Sequence, residues 1–258
     1  MSRIHATALV DPAASIADDV EIGAFSIVGP KVTIGPGSRI GPHVVVTGRT
    51  TIGRNTRIFQ FASIGEEPQD KKYAGEDTEL VIGDNNTIRE LCTFSRGTIQ
   101  GGGKTIIGND NWIMACVHIA HDCVLGDNII MANNASLAGH VTVGDWAILS
   151  GYSLIHQFCN VGEHSFTSFA SHVNQSIPPY VTVSGEKARA KGVNTEGLKR
   201  RGYTAEQIQQ VRRAYKVLYR SGLPLEEAKA KLSEMAEGHD EIKPLLEFLE
   251  TTVKSFIR

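Results

Sequence analysis

Aliphatic residues return every six positions from Ile4 onward: Val10, Ile16, Ile22, Val28, Ile34, Ile40, Val46, Ile52, Ile58 and Ile64. The beat resumes at Ile82, Ile88 and Phe94. It then runs through Ile107, Ile113, Ile119, Leu125, Met131, Leu137, Val143, Leu149, Ile155, Val161, Thr167 and Val173, all apolar except Thr167. A period of six matches neither the 3.6 of an amphipathic helix nor the 2 of a simple strand. Gly often follows the beat residue, as in Ile22-Gly23, Ile34-Gly35, Ile52-Gly53, Leu125-Gly126 and Val143-Gly144, and a small residue often stands four places after it, as Ala62, Ala135 and Ala147 do. The pattern predicts a short strand, a turn needing Gly or Asn, then another short strand. Three such sides close a coil of about 18 residues, and stacked coils bury a core that no single repeat could bury.

The beat breaks twice. Residues 66–80, EEPQDKKYAGEDTEL, are charged and polar, and residues 99–105, IQGGGKT, put the count out of phase. Insertions in a solenoid project from one face, commonly the binding face. Beyond about residue 185 a helical pattern takes over. Thr204-Ala205-Glu206-Gln207 reads as a capping box, with Ile208, Val211, Tyr215 and Leu218 on one helical face. Gly222 ends that helix, and Pro224 opens a second carrying Ala228, Leu232 and Met235. Asp240 begins a third, with Ile242, Leu245, Leu246, Leu249 and Val253 inward. The expectation is a solenoid over 1–185, with loops at 66–80 and 99–105, and a C-terminal α-helical domain over 186–258. The repeats resemble the hexapeptide-repeat acyltransferases. That resemblance implies a mainly β chain folded as a left-handed parallel β-helix, although right-handed crossovers are the general rule. A non-catalytic structural β-helix is the alternative.

Composition narrows the function. The chain has 258 residues, is 41% hydrophobic and 21% charged, and carries a net charge of −2. No basic excess points to nucleic acid. No stretch approaches the ~20 apolar residues of a membrane span, and MSRIHATALVDP has no apolar core of signal-peptide length, so the cytoplasm is the expected compartment. The four cysteines, Cys92, Cys116, Cys123 and Cys159, show no CxxC spacing and read as small buried residues.

The repeat also serves as a ruler for the histidines. His118 and His121 flank Ile119, His140 lies three places after Leu137, and His156 one place after Ile155. Those three beat residues are successive 18-residue steps, so four histidines fall along one edge over rungs ~4.8 Å apart. They suit three roles: surface residues, a zinc site built from His118, His121 and His140, or a general base with substrate-orienting neighbours. Hexapeptide-repeat zinc carbonic anhydrases are the comparison for the metal role, but their HxxxxH spacing is absent. Asp122, next to His121, could fix its tautomer and stabilise the imidazolium.

Longer segments carry a closer match. HIAHDC (118–123), NNASLAGHV (133–141), HQFC (156–159), IPPYV (177–181) and NTEGLKRRG (194–202) resemble the UDP-N-acetylglucosamine O-acyltransferases of lipid A biosynthesis. FQFASIGEEPQDKKYAGE (59–76) and RGTIQGGG (96–103) are similar to the same family's loops. The resemblance implies that His121 is the general base oriented by Asp122, and that the Gly139 N–H stabilises the oxyanion. His118, His140, His156 and Gln157 would hold the sugar nucleotide. Gln69, Asp70 and Lys72 would contact substrate, Asp70 meeting the acyl chain's 3-hydroxyl. Asn194, Glu196, Arg200 and Arg201 would bind the nucleotide end, where Arg suits phosphate. Phe169, in HSFTSFASH (164–172), would be the acyl-chain ruler, because relatives that accept long chains have Gly there. The resemblance also implies acyl carrier protein as donor partner, UDP-N-acetylglucosamine as acceptor, and a homotrimer with sites between subunits. It implies neither a metal nor a diffusible cofactor, since the phosphopantetheine comes on the carrier. Some relatives use a 3-amino acceptor. Two positions depart from the family pattern: Ser95 stands where histidine is typical, and Lys71 replaces an apolar residue.

Overall fold

The computed structural model describes residues 3–252 and 255–258. Short parallel strands stack into three faces of 11, 9 and 8 strands, here faces I, II and III. The register is the one the beat requires: Ile4 pairs with Ile22 on face I, and Ile119 with Leu137 and Leu137 with Ile155 on face II. Within each strand the beat residue points inward and the residue before it outward, as in Arg39–Ile40 and Arg57–Ile58. One continuous aliphatic core results, from Val20 and Ile22 to Val183.

Turn chemistry differs from the expectation. The left-handed residue is the third after the beat residue, and Phe25, His43, Phe61, Asp122, His140, Trp146, Tyr152, Phe158 and His164 hold that slot beside Asn55, Asn85, Asn128 and Asn134. Bulky side chains disfavour positive φ. Here they stack on the same slot of adjacent coils, as Phe25, His43 and Phe61 do at 5.1 and 5.3 Å. The Gly after the beat residue answers a different need, close approach. A Cβ on Gly53 would lie 2.6 Å from the carbonyl carbon of Gly83 in the next coil.

The insertions leave the register intact. Ile58 pairs with Ile40 at the ordinary step and with Ile88 at a step of 30 residues, while Thr93 pairs with His118 at a step of 25. The first insertion leaves face II after Ser63–Glu66 and re-enters face III at Glu79–Ile82. The second runs between Thr93–Ser95 and Lys104–Ile107. Glu79, Leu80, Lys104 and Thr105, expected in loops, are therefore strand residues. Both insertions emerge from the edge between faces II and III, in consecutive coils.

Face I ends in an antiparallel hairpin, Val181–Ser184 with Arg189–Val193. The division expected between residues 185 and 186 thus falls inside a hairpin. Helices begin at Thr195: α1 (Thr195–Arg200), α2 (Ala205–Arg220), α3 (Leu225–Ala236) and α4 (Lys243–Thr251). The Thr204–Gln207 capping box forms at α2, but Asp240 starts a 3-10 turn rather than a helix, and α1 is an addition to the expected set. Leu218, Leu232, Leu245, Phe248 and Leu249 form the core of the helical domain. Val253 lies outside the described residues. Ile257 returns to the prism core, so the C-terminal end is closed, whereas at the other end the beat residue Ile4 is 41% exposed.

Candidate active site

At the edge between faces II and III, three left-handed slots stack Asp122, His140 and Phe158. His121 precedes the first of them. Its Nδ1 lies 2.7 Å from Asp122 Oδ2, which assigns the imidazole proton to Nδ1 and leaves Nε2 as the acceptor. The Asp122 side chain is 1% exposed and that of His121 14%, so a buried carboxylate meets a ring that still reaches solvent. His140 meets His121 edge to face at 5.2 Å, its Nε2 lies 3.7 Å from the same carboxylate oxygen, and Phe158 stacks on it at 4.5 Å. Burial lowers the His140 pKa. Asp122 and Asp70 oppose this and the neighbouring His121 adds to it, so the net shift favours the neutral ring. His118, one strand pair away on face II, is also lowered, chiefly by burial, and bonds Thr93 Oγ1 at 2.8 Å through Nδ1.

Gly139 is confined by the His121 ring. A Cβ there would lie 2.6 Å from His121 Cε1 and 2.9 Å from Nε2, so only glycine lets the backbone pass beside that nitrogen. Among the described residues, none accepts a hydrogen bond from the Gly139 N–H.

Both insertions support this edge. Asp122 Oδ1 accepts the Thr98 N–H at 2.7 Å, and Oδ2 accepts the Thr98 hydroxyl at 2.6 Å. The first insertion is tied down by Arg96, which is 8% exposed and donates to Gly65 O at 2.6 Å and to Tyr73 Oη at 2.9 Å. Asp70 caps its own turn by accepting the Lys72 N–H, and its charge acts on His140. Gln69, Lys71 and Lys72 are exposed beside it, and Ser95 is buried in its strand. His156 and Gln157 occupy the turn before Phe158, both exposed, with His156 Nδ1 3.2 Å from Gln157 O.

The remaining expected residues lie elsewhere on the chain. Asn194, Glu196, Arg200 and Arg201 line a groove of about 570 Å³ over face I, whose apolar wall includes Ile130, Ile148 and Phe166. Asn194 is 9% exposed and structurally engaged: it caps α1 by accepting the Gly197 N–H, and its side-chain amide donates to His164 O. Arg201 lies over the Trp146 ring at 5.1 Å and donates to its carbonyl oxygen. Phe169 is 69% exposed at the edge between faces I and II, against Tyr152 at 5.6 Å. One chain therefore does not bring the groove, Phe169 and the histidine edge together. Cys92, Cys123 and Cys159 are buried, and burial pushes the Cys92 and Cys123 thiols up to about 12, so neither is a nucleophile near neutral pH.

Thr98, Arg96 and Phe158 were not expected in these supporting roles. Phe158 had a signal in the sequence, since it lies 18 residues after His140. Thr98 and Arg96 stand off the repeat, and their only signal was the RGTIQGGG loop resemblance, which gives neither a contact.

A three-faced coil with a His–Asp pair at one edge defines the class of hexapeptide-repeat transferases. The bacterial transferase hexapeptide model matches residues 13–48 and 104–139, and the second domain of UDP N-acetylglucosamine O-acyltransferase matches 177–257. The acyl-[acyl-carrier-protein]–UDP-N-acetylglucosamine O-acyltransferase of Thiobacillus denitrificans is 62% identical over the full length of both chains, and that of Herminiimonas arsenicoxydans 58%. Among solved structures, LpxA from Acinetobacter baumannii is 48% identical, with a TM-score of 0.96 over 99% of each chain. The Francisella novicida UDP-N-acetylglucosamine acyltransferase is 43% identical with a TM-score of 0.97, over 99% of this chain and 94% of that one. The chain belongs to the UDP-N-acetylglucosamine O-acyltransferase family, and its coil is the left-handed parallel β-helix.

Proposed function

We propose that this chain transfers a 3-hydroxyacyl group from acyl carrier protein to the 3-position of UDP-N-acetylglucosamine, the opening step of lipid A biosynthesis, with His121 as general base. The observation that carries this is the 2.7 Å His121–Asp122 contact beside the Gly139 backbone, in a chain whose full-length relatives bear that activity in their names. His121 Nε2 takes the proton of the sugar hydroxyl as its oxygen attacks the thioester carbonyl. Asp122 stabilises the resulting imidazolium, and the Gly139 N–H stabilises the oxyanion. Collapse expels the carrier's thiolate, which recovers the proton from His121. His118, His140, His156 and Gln157 position the sugar, while Gln69, Asp70 and Lys72 meet the acyl end.

Because Arg200, Arg201 and Phe169 lie on other edges, a complete site needs a second copy, which supports a homotrimer with sites between subunits. On this reading no separate cofactor is required, because the phosphopantetheine travels on the carrier, and acyl carrier protein and a sugar nucleotide as substrates support a cytoplasmic enzyme. Among the described residues, no helix is long and apolar enough to cross a membrane. A phenyl ring at position 169 limits the cleft between neighbouring β-helices of the trimer to medium chains near ten carbons. Each further buried CH₂ contributes only ~0.8 kcal/mol, whereas overpacking costs ~1–3 kcal/mol.

A second reading has one observation in its favour: ligand atoms of His121, Asp122 and His140 lie within 4.8 Å of one another, close enough to share a zinc ion. Asp122 already accepts from Thr98 twice and from His121, so a metal would have to displace those donors.

The deciding experiment gives the purified protein a mixture of carrier-bound acyl chains with the 3-hydroxyl or the 3-amino acceptor and weighs the products. The expected product is the ten-carbon 3-O-acyl sugar nucleotide, with Phe169→Gly moving the preference to longer chains. His121→Ala should lower turnover ~10²–10⁴-fold in a correctly assembled protein. Near-normal turnover of that variant, or chelator-sensitive activity with one zinc per chain, would overturn the proposal.

A further inference from the structure

The second insertion meets the histidine edge at a single residue. Thr98 is 1% exposed and grips both oxygens of Asp122, its N–H donating to Oδ1 at 2.7 Å and its hydroxyl to Oδ2 at 2.6 Å. The same hydroxyl accepts the Gly101 N–H at 3.2 Å, closing the turn that brings Gly101 against the carboxylate, where any Cβ would overlap it. From the far end of the insertion, Thr105 Oγ1 accepts the Asp122 N–H at 2.8 Å. The insertion thus brackets one aspartate from both of its ends and touches neither ring nitrogen of His121.

We infer that Thr98 is a positioning residue for acyl transfer, acting on His121 through Asp122. The inference rests on the base assignment proposed above. The terminal torsion of an aspartate is broad and nearly two-fold, so a carboxylate held by a single bond can swing. Two donors from one rigid residue fix its plane. With the plane fixed, Oδ2 faces His121 Nδ1, and the ring is held with Nε2 toward the acceptor. Oδ2 serves the Thr98 hydroxyl and the His121 N–H together, with His140 Nε2 3.7 Å away, so a swing of the carboxylate disturbs all three contacts.

The test is steady-state kinetics of the assembled enzyme with acyl carrier protein and UDP-N-acetylglucosamine. Thr98→Val keeps the backbone donor and removes the hydroxyl. Misplacing a catalytic group by about 1 Å costs on the order of 100-fold, so kcat should fall roughly 10–100-fold while KM for the sugar nucleotide changes less than about three-fold. Thr98→Ser, which keeps the hydroxyl, should return kcat to within about three-fold of the parent. In an Asp122→Asn background Thr98→Val should add less than about two-fold, because residues acting through one another are not additive. If the valine variant does not assemble, Thr98→Ala is read by the same criteria. Wild-type kcat in Thr98→Val, or its full effect on top of Asp122→Asn, overturns the assignment. Turnover preserved in His121→Ala would instead overturn the base on which it rests; loss there with Thr98→Val unaffected condemns Thr98 alone.

Discussion

His140 and His164 occupy the same slot of the repeat, third after the aliphatic residue, with φ of 60° and 54°. His140 stands between faces II and III, His164 between III and I. Around His140 one side remains open: its ring packs on Phe158, its neighbours are His121 and Asp122, and two insertions rise beside it. Around His164 every side is filled. Trp146 and Tyr180 lie parallel to it at 6.3 and 5.7 Å, Tyr203 meets it edge-on, and its buried Nδ1 has no hydrogen-bond partner among the described residues. Its pKa falls to about 4, first from burial and then from the nearby charge of Arg201. The fold supplies the slot, and whatever covers it decides the use. Beside the insertions the ring keeps one open side, whereas the packed helical domain turns the same residue into an aromatic spacer.

The sharpest way to break this contrast is at Gly139. Gly139→Ala should push the His121 ring aside and reduce kcat on the order of 100-fold, with the circular dichroism melt unchanged. A variant of parental kcat would mean that the exact seat of His121 is unimportant. Next in size is the anchor of the first insertion. Arg96→Met removes one buried and one part-buried charge-assisted bond, each worth ~1.5–3 kcal/mol, so the insertion should open more often and tryptic cleavage after Lys71 or Lys72 should quicken at least about ten-fold. Unchanged cleavage would show that the insertion holds its shape without Arg96.

The smallest effect belongs to His164. Its folded pKa of about 4 lies below the ordinary 6.5, so the unfolded chain binds more protons between those values. Its contribution to stability is intact above 6.5 and is lost as pH falls toward 4. Between pH 7 and about pH 5.5 this is worth about 1 kcal/mol, or ~2–4 °C in melting midpoint. His164→Phe should flatten that part of the profile, and an unchanged slope would place the acid sensitivity elsewhere.

The prism itself was legible because its core obeys one number. Even Thr167, the polar member of the beat, fits once Ser153 Oγ and the Ser150 N–H satisfy its hydroxyl. The same number aligns His118, His121, His140 and His156 along one edge. Aromatic and histidine turn residues were not legible as such, since their propensity opposes the slot and only stacking on neighbouring coils offsets it. Helix α1 is too short to show a period, and its Asn194 reads as a ligand in sequence yet serves also as a cap. Thr98 and Arg96 stand in aperiodic insertions, where spacing carries no information about contact. The separation of Phe169 from the histidines follows from the beat alone, since Thr167 stands two six-residue steps beyond Ile155, whereas that of Arg201 was not legible, because it lies beyond the repeat.

The unequal ends of the prism have a consequence for how it comes apart. Within one chain the coils pair strand to strand with the coils above and below, so the prism behaves as a row of neighbours. At the C-terminal end the hairpin, the helices and Ile257 act as a stopper, while the coil bearing Ile4 and Leu9 has a partner on one side only. Opening therefore unzips in one direction. Backbone amides should exchange with solvent first around Arg3–Val10 and progressively later along the axis, leaving the coils of His121 and His140 protected after the first turns have already traded their protons.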